Sequence, residues 1–318
     1  MRLGIPRGFF YYDYISFIKK LFSDTETEVV VGEENNDEVL ARGSSLAVDE
    51  ACLPIKLFVG QIESLCSRSD KILIPRVMKD CRGRWLCPKL LGIPELSLGA
   101  AKAGKLLVTE PLYFNNERST KRCLWRICKE LGIKKDKFEE NFSQAYNIQR
   151  RISQGIANAH VESGWEFTPM MPKAGEIILP NTKKVFLAGH CYNVYDKFSN
   201  GNLMKKLDDL GIEAVTEKEV NQDERERAVE SVSLIKEPFW ESFIRIFGSA
   251  IHLNDEVDGI IYLSSFSCGP DAFIIEMLKT YIRDLPIMVL KLDEHRGEAG
   301  YETRIEAFAD LLERRRAS

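Results

Sequence analysis

Short apolar runs alternate with longer amphipathic stretches along most of this chain, and the two periods separate cleanly. A brief apolar run bounded by Gly, Pro, Asn or Asp reads as a buried strand, whereas apolar positions recurring every three to four residues read as one face of a helix. RLGIP therefore predicts a first strand, FYYDYISFIKKLFS its helix, TEVVVG a second strand and NDEVLARGSSLAVDE a second helix. CLPIKLFVGQIESL predicts another helix, KILIP and KLLVTE two further strands, and the polar, amphipathic tract from about Asn115 to His160 is helical by composition. The alternation then restarts, with strands at KKVFLAGH, IEAVT, GIIYLS and PIMVLKL. Helices are expected through NGNLMKKLDDLG, KEPFWESFIRIFG, the segment after Cys268, and TRIEAFADLLERRR.

Strands that are each followed by a helix build a mostly parallel sheet with helices on its faces. The expectation is an α/β protein of two Rossmann-like parallel-sheet units with an intervening helical tract. The Gly, Pro and Thr residues of ESGWEFTPMMPKAGEIILPNT mark the change of organisation. They place an N-terminal unit with its helical tract at residues 1–166 and a C-terminal unit at residues 167–318.

Composition narrows the function classes. A chain of 318 residues with 44% hydrophobic content and a net charge of -4 is long enough for two globular domains. Acids and bases are interspersed, so there is no basic stripe of the kind that nucleic-acid binders carry. The run Glu313-Arg314-Arg315-Arg316 reads as a solvated helix end, where cations are favoured. No uninterrupted apolar stretch approaches spanning length, and MRLGIPRGFFYYDY carries an arginine inside its first apolar run. Neither a membrane span nor a signal peptide is expected, which predicts a cytoplasmic location. There the 8 cysteines would stay reduced and serve metal binding or catalysis rather than disulfides.

Three of those cysteines fall in loops beside the strands: Cys52 opens a helix in DEACLPIK, Cys87 stands in WLCPK after the strand KILIP and its loop, and Cys268 in SSFSCGPD sits where the strand GIIYLS turns into a helix. Proline follows each within two residues, as suits a first helical turn. Unpaired amides at a helix start stabilise an anion, so a thiol there ionises more readily, and the thiolate is the form that binds metal. In open parallel sheets the loops beyond the strands' carboxyl ends form the binding crevice, and the pattern puts all three cysteines in such loops. The alternative is that they are small buried residues. The absence of a C-x-x-C pair disfavours zinc, while an iron–sulfur cluster gathered from separate loops stays open.

The remaining candidates are weaker. Cys66, Cys123 and Cys128 fall on apolar helical faces and read as core. Cys81 shares a loop with Cys87, and Cys191 follows the strand KKVFLAGH. Arg7 and Arg76 close the matching runs GIPR and LIPR at strand ends, as solvated loop residues or as cations for a cluster, a carboxylate or a CoA phosphate. Asp293, Glu294, His295 and Glu298 read as helix capping and loop bracing. Neither His190 nor His295 has an identifiable nucleophile beside it in the sequence, though both can hydrogen-bond near a site.

Taken in order, GIPR, VDEACLPIK, LCPK, GHCYNVYD, SSFSCGPD and KLDEHRGEAGYETRIEAF resemble the acyl-CoA dehydratase activase-related proteins. That family is similar to the subunits of the 2-hydroxyacyl-CoA (2-hydroxyglutaryl-CoA) dehydratases and to the region that accompanies their ATP-dependent activase. The resemblance runs over nearly the whole chain and is most specific at LDEHRGEAG with TRIEAF. It implies a 4Fe-4S cluster held by Cys52, Cys87 and Cys268, the first two from the N-terminal unit and the third from the C-terminal unit. It also implies an ATP-dependent activase as partner, with a related cluster-bearing subunit as a second. No G-x-x-x-x-G-K-[ST] loop occurs, so ATP hydrolysis would belong to that partner. The implied function is low-potential electron transfer or radical dehydration or reduction. The alternatives are a non-catalytic cluster-bearing subunit and a cluster-free α/β scaffold. Three ligands leave one iron open, and Cys191, which stands where relatives usually have proline, is an alternative fourth ligand to a packed thiol, as is Cys81.

Overall fold

The N-terminal unit runs β1 (Arg2–Ile5), α1 (Phe10–Leu21), β2 (Glu28–Val31), α2 (Asp37–Leu46), α3 (Leu53–Leu65), β3 (Lys71–Ile74), β4 (Val77–Lys79), α4 (Pro88–Leu91), α5 (Ile93–Leu96), β5 (Leu106–Val108), β6 (Leu112–Tyr113), α6 (Glu117–Glu130) and α7 (Lys135–Ser153). Its main sheet has the order β2-β1-β3-β5 with every pair parallel, Leu3 pairing with Val29 and Gly4 with Ile72. Central strands of a parallel sheet are covered on both faces, which is why they read as apolar runs without alternation. Leu3, Ile5, Ile72, Leu73 and Ile74 are all buried accordingly. The structure, a computed structural model, describes residues 1–101, 104–155, 182–236, 238–294 and 298–317.

Aromatic side chains seat the helical tract. Phe114 lies 4.7 Å from the Tyr14 ring of α1, and Phe142 of α7 lies 6.4 Å from Phe17, edge to face. Asn141 donates to the carbonyls of Leu21 and Ser23, satisfying groups that the end of α1 leaves without intrahelical partners. Helices α2 and α3 form a hairpin whose backbones touch. A Cβ on Gly43 would stand 1.7 Å from the Lys56 carbonyl oxygen, and one on Gly60 1.9 Å from that of Val39. Helix α2 is shorter than its pattern predicts, because Ala47 turns extended (ψ 158) while its N–H still bonds the Gly43 carbonyl.

Two features escaped the periodicity. Strands β4 and β6 pair in parallel as a separate two-stranded sheet, and runs of three and two residues carry no readable period. Trp85 extends this edge: its N–H donates to the Phe239 carbonyl at 3.1 Å, and the Glu241 N–H donates to the Trp85 carbonyl at 2.9 Å. Phe239 and Trp240 are therefore an extended strap of the N-terminal unit, and Glu241, grouped with them, already opens a helix, where the pattern expects helix throughout in the C-terminal unit.

The C-terminal unit runs β7 (Lys183–Gly189), α8 (Cys191–Val194), α9 (Leu203–Asp209), β8 (Ile212–Val215), α10 (Gln222–Glu230), α11 (Glu241–Phe243), a π-helical turn (Ile244–Gly248), α12 (Ser249–His252), β9 (Gly259–Ser265), α13 (Gly269–Tyr281), β10 (Ile287–Leu292) and α14 (Glu298–Ala317). Its sheet has the order β10-β9-β7-β8, again parallel throughout. Counted within each unit, both main sheets follow the strand order 2-1-3-4. The α/β class with parallel sheets and helices between them is thus the one the alternation predicts. The compact units are Met1–Phe167 with Phe239–Glu241, and Thr168–Pro238 with Ser242–Ser318. The boundary expected between residues 166 and 167 lies outside the described residues, as does His160. Among the described residues no helix is long and apolar enough to cross a membrane.

Candidate functional site

In a 2-1-3-4 sheet the chain leaves strand one in one direction and strand three in the other, so the loops after these two strands part and open a crevice at their carboxyl ends. In the C-terminal unit those strands are β7 and β9, which pair directly, with Gly189 opposite Leu263. The residues just beyond them meet. His190 precedes α8, and its carbonyl accepts the N–H groups of Asn193 and Val194 at 2.8 and 3.0 Å. Asn193 in turn donates to the Leu263 carbonyl and accepts from the Ser265 hydroxyl at 2.9 Å, tying α8 to β9. After β9 the backbone turns through a left-handed Ser267 (φ 64), and Cys268 caps α13 with Pro270 in the first turn. Asp271 follows Cys268 by three residues, a spacing that puts both on one helix face.

The outcome is a compact polar cluster. His190 Nε2 stands 3.2 Å from Asp271 Oδ1 and 3.8 Å from Cys268 Sγ. Tyr262, from β9, donates its hydroxyl to Asp271 Oδ1 at 2.8 Å. Potential ligand atoms of His190, Cys268 and Asp271 all lie within 4.8 Å of one another. Asp271 is 0% exposed, and its Oδ2 has no hydrogen-bond partner among the described residues. Tyr192 stacks on the imidazole with ring centroids 4.9 Å apart.

Electrostatics follow from that geometry. Burial by itself would pull the His190 pKa down, but the Asp271 charge and hydrogen bond, with Cys268 adding to them, hold it well above the usual imidazole value. Burial would push Asp271 up, yet the His190 charge and the hydrogen bonds from His190, Tyr262 and Cys268 hold it below the ordinary carboxylate value. Burial, then the Asp271 charge, keep Tyr262 a phenol. A buried imidazolium–carboxylate pair thus stands beside a half-exposed thiol.

In the N-terminal unit the two cysteines occupy different scaffolds. Cys52 does not follow a strand; it opens the second helix of the α2–α3 hairpin, with Pro54 in the first turn. Gln61, lower on α3, donates to the Glu33 carbonyl at 2.9 Å and Asn35 Oδ1 at 2.7 Å, and accepts the Arg7 N–H at 3.4 Å. These partners lie just past the carboxyl ends of β1 and β2, so the earlier turns of α3, and Cys52, project beyond that edge of the sheet. Cys87 follows β4 and caps α4, ahead of Pro88. Cys52, Cys87 and Cys268 are all half-exposed, and in none does the sulfur cap its helix. Cys52 and Cys87 belong to one compact unit and Cys268 to the other.

Arg7 and Arg76 stand at the corresponding switch point of the N-terminal unit and are engaged there. Arg7 pairs with Glu34 at 3.2 Å and lies over the Tyr11 ring, while Arg76 donates to the Leu91 carbonyl at 2.8 Å and to the Glu95 carboxylate. Cys191 is 5% exposed at the start of α8, and Cys123 and Cys128 are buried in α6, as their helical spacing predicts. Burial pushes the Cys128 thiol up to about 12. It pushes Cys81 up to about 11 against a weaker opposing bond from Ser153. Cys66 ends α3 with its sulfur 3.7 Å from the Ala100 carbonyl. None of the 8 cysteines, all among the described residues, forms a disulfide. Asp293 and Glu294 are half-buried after β10, and His295 lies outside the described residues. Sequence reading missed Asp271 and Tyr262; the available signal was the spacing of Cys268 and Asp271 in one helical turn.

Comparison with known proteins supplies a family. The family described as the CoA enzyme activase uncharacterised domain matches residues 2–220. No curated protein matches. Among solved structures, a manganese-bound variant of a periplasmic metal-binding protein from Candidatus Liberibacter asiaticus aligns at 13% identity over 98% of this chain and 100% of its own, with a TM-score of 0.28. A metal-free variant of that protein aligns at 12% identity with the same coverage and a TM-score of 0.28. At that TM-score the likeness carries no argument about this chain.

Proposed function

Taking as premise that the chain belongs to the family of the CoA enzyme activase uncharacterised domain, we propose that it is the iron–sulfur partner of an ATP-dependent activase. In this reading it holds a 4Fe-4S cluster through Cys52, Cys87 and Cys268 and works at low potential, in the manner of the 2-hydroxyacyl-CoA dehydratases. One observation carries the reading: each of these three thiols, alone among the 8, is a half-exposed residue immediately before a helix whose first turn contains proline. That setting suits metal ligands, because each sulfur is partly exposed at a helix start and makes no capping bond there.

When bound, such a cluster supplies one-electron chemistry. The chain's own residues supply position and charge. Pro54, Pro88 and Pro270 pin the backbone of each helix start. The His190–Asp271 pair stands against the third thiol, with His190 Nε2 3.8 Å from Cys268 Sγ, and fixes the imidazole beside it. Cys191 is buried at the start of α8 and the Cys81 thiol is pushed up to about 11 by burial, and the reading leaves the fourth position to a non-protein ligand. A site of that kind serves substrate chemistry better than simple electron carriage.

The test is association with a cognate activase under anaerobic, reducing conditions, followed by light scattering. The expected result is a complex that forms with ATP and is lost in Cys87→Ala but kept in Cys128→Ala. Association indifferent to both nucleotide and Cys87 would count against the proposal.

A further inference from the structure

We infer that the C-terminal unit, in protein lacking a cluster, binds a single divalent transition-metal ion of the zinc class through His190 Nε2, Cys268 Sγ and Asp271. The inference does not rest on the cluster reading; it describes what the same thiol does when no cluster occupies it.

Spacing is the first support. Around a tetrahedral zinc with Zn–N near 2.0–2.1 Å and Zn–S near 2.3 Å, adjacent N and S ligands stand about 3.6 Å apart and N and O about 3.3 Å apart. The observed separations are 3.8 Å for His190 Nε2 to Cys268 Sγ and 3.2 Å for His190 Nε2 to Asp271 Oδ1. Ligands on different irons of one cubane must be spread farther than this, so the trio suits one ion. The second support is independent. Asp271 is 0% exposed and keeps Oδ2 without a hydrogen-bond partner among the described residues, an arrangement that costs about 1–3 kcal/mol unless the ion takes the carboxylate through Oδ2 as well as Oδ1.

Charge agrees with the spacing. Thiolate, carboxylate and neutral imidazole together cancel a dipositive ion, which a buried site requires. Binding displaces the proton on Nε2 and that on the thiol, and both go to solvent. Mixed sulfur and nitrogen donors reject magnesium and calcium, which take oxygen ligands, and accept zinc or cobalt. Tyr262 remains able to donate to Asp271 Oδ1 and so to orient the carboxylate from outside the coordination sphere. Cys268 is half-exposed, so the fourth ligand of such an ion would be a water.

The full-length protein, freed of cluster by aerobic purification and stripped with chelator, is titrated with cobalt and then zinc. The expected result is one cobalt per chain, with a thiolate-to-metal charge-transfer band and the strong visible bands of four-coordinate cobalt, displaced by zinc. His190→Gln, Cys268→Ser and the near-isosteric Asp271→Asn should each weaken binding at least about tenfold. Cys52→Ala and Cys87→Ala should leave it unchanged, although the cluster reading needs both residues. Circular dichroism of each variant checks that the loss is not unfolding, and Cys268→Ser, at a half-exposed position, is the variant least exposed to that objection. No cobalt binding by the native chain, binding indifferent to His190→Gln and Cys268→Ser, or binding lost in Cys52→Ala would overturn the inference. Cluster content, scored by sulfide, is judged separately.

Discussion

Beyond its first and third strands the N-terminal unit carries Arg7 and Arg76; at the matching places the C-terminal unit carries His190 and Cys268. The strand order is the same, so topology chooses the place where loops can converge and leaves the chemistry to the residues found there. The electrostatics differ in kind. Glu34 and Glu95, which pair with the arginines, are 77% and 60% exposed, whereas Asp271, which pairs with His190, is 0% exposed. Solvent screens the first two pairs and cannot screen the third.

Breaking the buried pair should have the largest effect. Asp271→Ala removes the acceptor of both His190 and Tyr262, and losing one partner of a buried pair costs about 3–5 kcal/mol. Hydrogen exchange should show β9 and α13 losing protection while β1 and β3 keep theirs. Equal loss in both units would show that the pair is not a local determinant.

Gly60→Ala probes the other unit. Its Cβ would meet the Val39 carbonyl oxygen at 1.9 Å, so the α2–α3 hairpin must open, at about 1–3 kcal/mol. Urea unfolding should register that loss, with no change in β7 or β9 by exchange. A neutral result would mean that the helices have room to separate.

Glu34→Gln should matter least among the pairs, by less than about 1 kcal/mol, because exposed ion pairs contribute little. A cost matching that of Asp271→Ala would erase the contrast between the two switch points.

The smallest effect concerns acid. Glu33 is held below the usual carboxylate value, first by the Ser64 hydroxyl at 2.5 Å, then against some desolvation, with help from Asn36 and nearby arginines. A depressed carboxylate contributes stability that is present above its unfolded pKa and lost as pH falls through its folded one. Ser64→Ala should therefore raise the Glu33 pKa, followed by carboxyl NMR, and shrink the acid-side loss. An unmoved titration would assign the depression to Asn36 and the arginines.

Much of this was legible because its causes are local. Apolar runs marked β1, β3, β7 and β9, whose two buried faces demand them, and proline after Cys52 and Cys268 marked two helix starts, while the short helix after Cys87 reads as loop in the sequence. Strands as short as β4 and β6 were not legible, nor was the strap of Phe239 and Trp240, whose aromatic residues fit a helix equally well and whose partner Trp85 is remote in sequence. The end of α2 at Leu46 was overrun because Ala47 has no breaker beside it. The meeting of His190 and Cys268, 78 positions apart, depends on β7 and β9 being neighbours. No residue pattern states that; strand order does. Asp271 was passed over because an acid in a first helical turn has an ordinary explanation in the dipole.

The central claim is that three helix-start thiols hold a cluster, and the most direct measurement is the iron and acid-labile sulfide content of the anaerobically purified full-length chain. The account predicts about four of each per chain, lost or sharply reduced in Cys52→Ala, Cys87→Ala and Cys268→Ala and retained in Cys66→Ala and Cys123→Ala. Protein that comes out of anaerobic purification with metal but no sulfide, or with a cluster indifferent to all three substitutions, would contradict it.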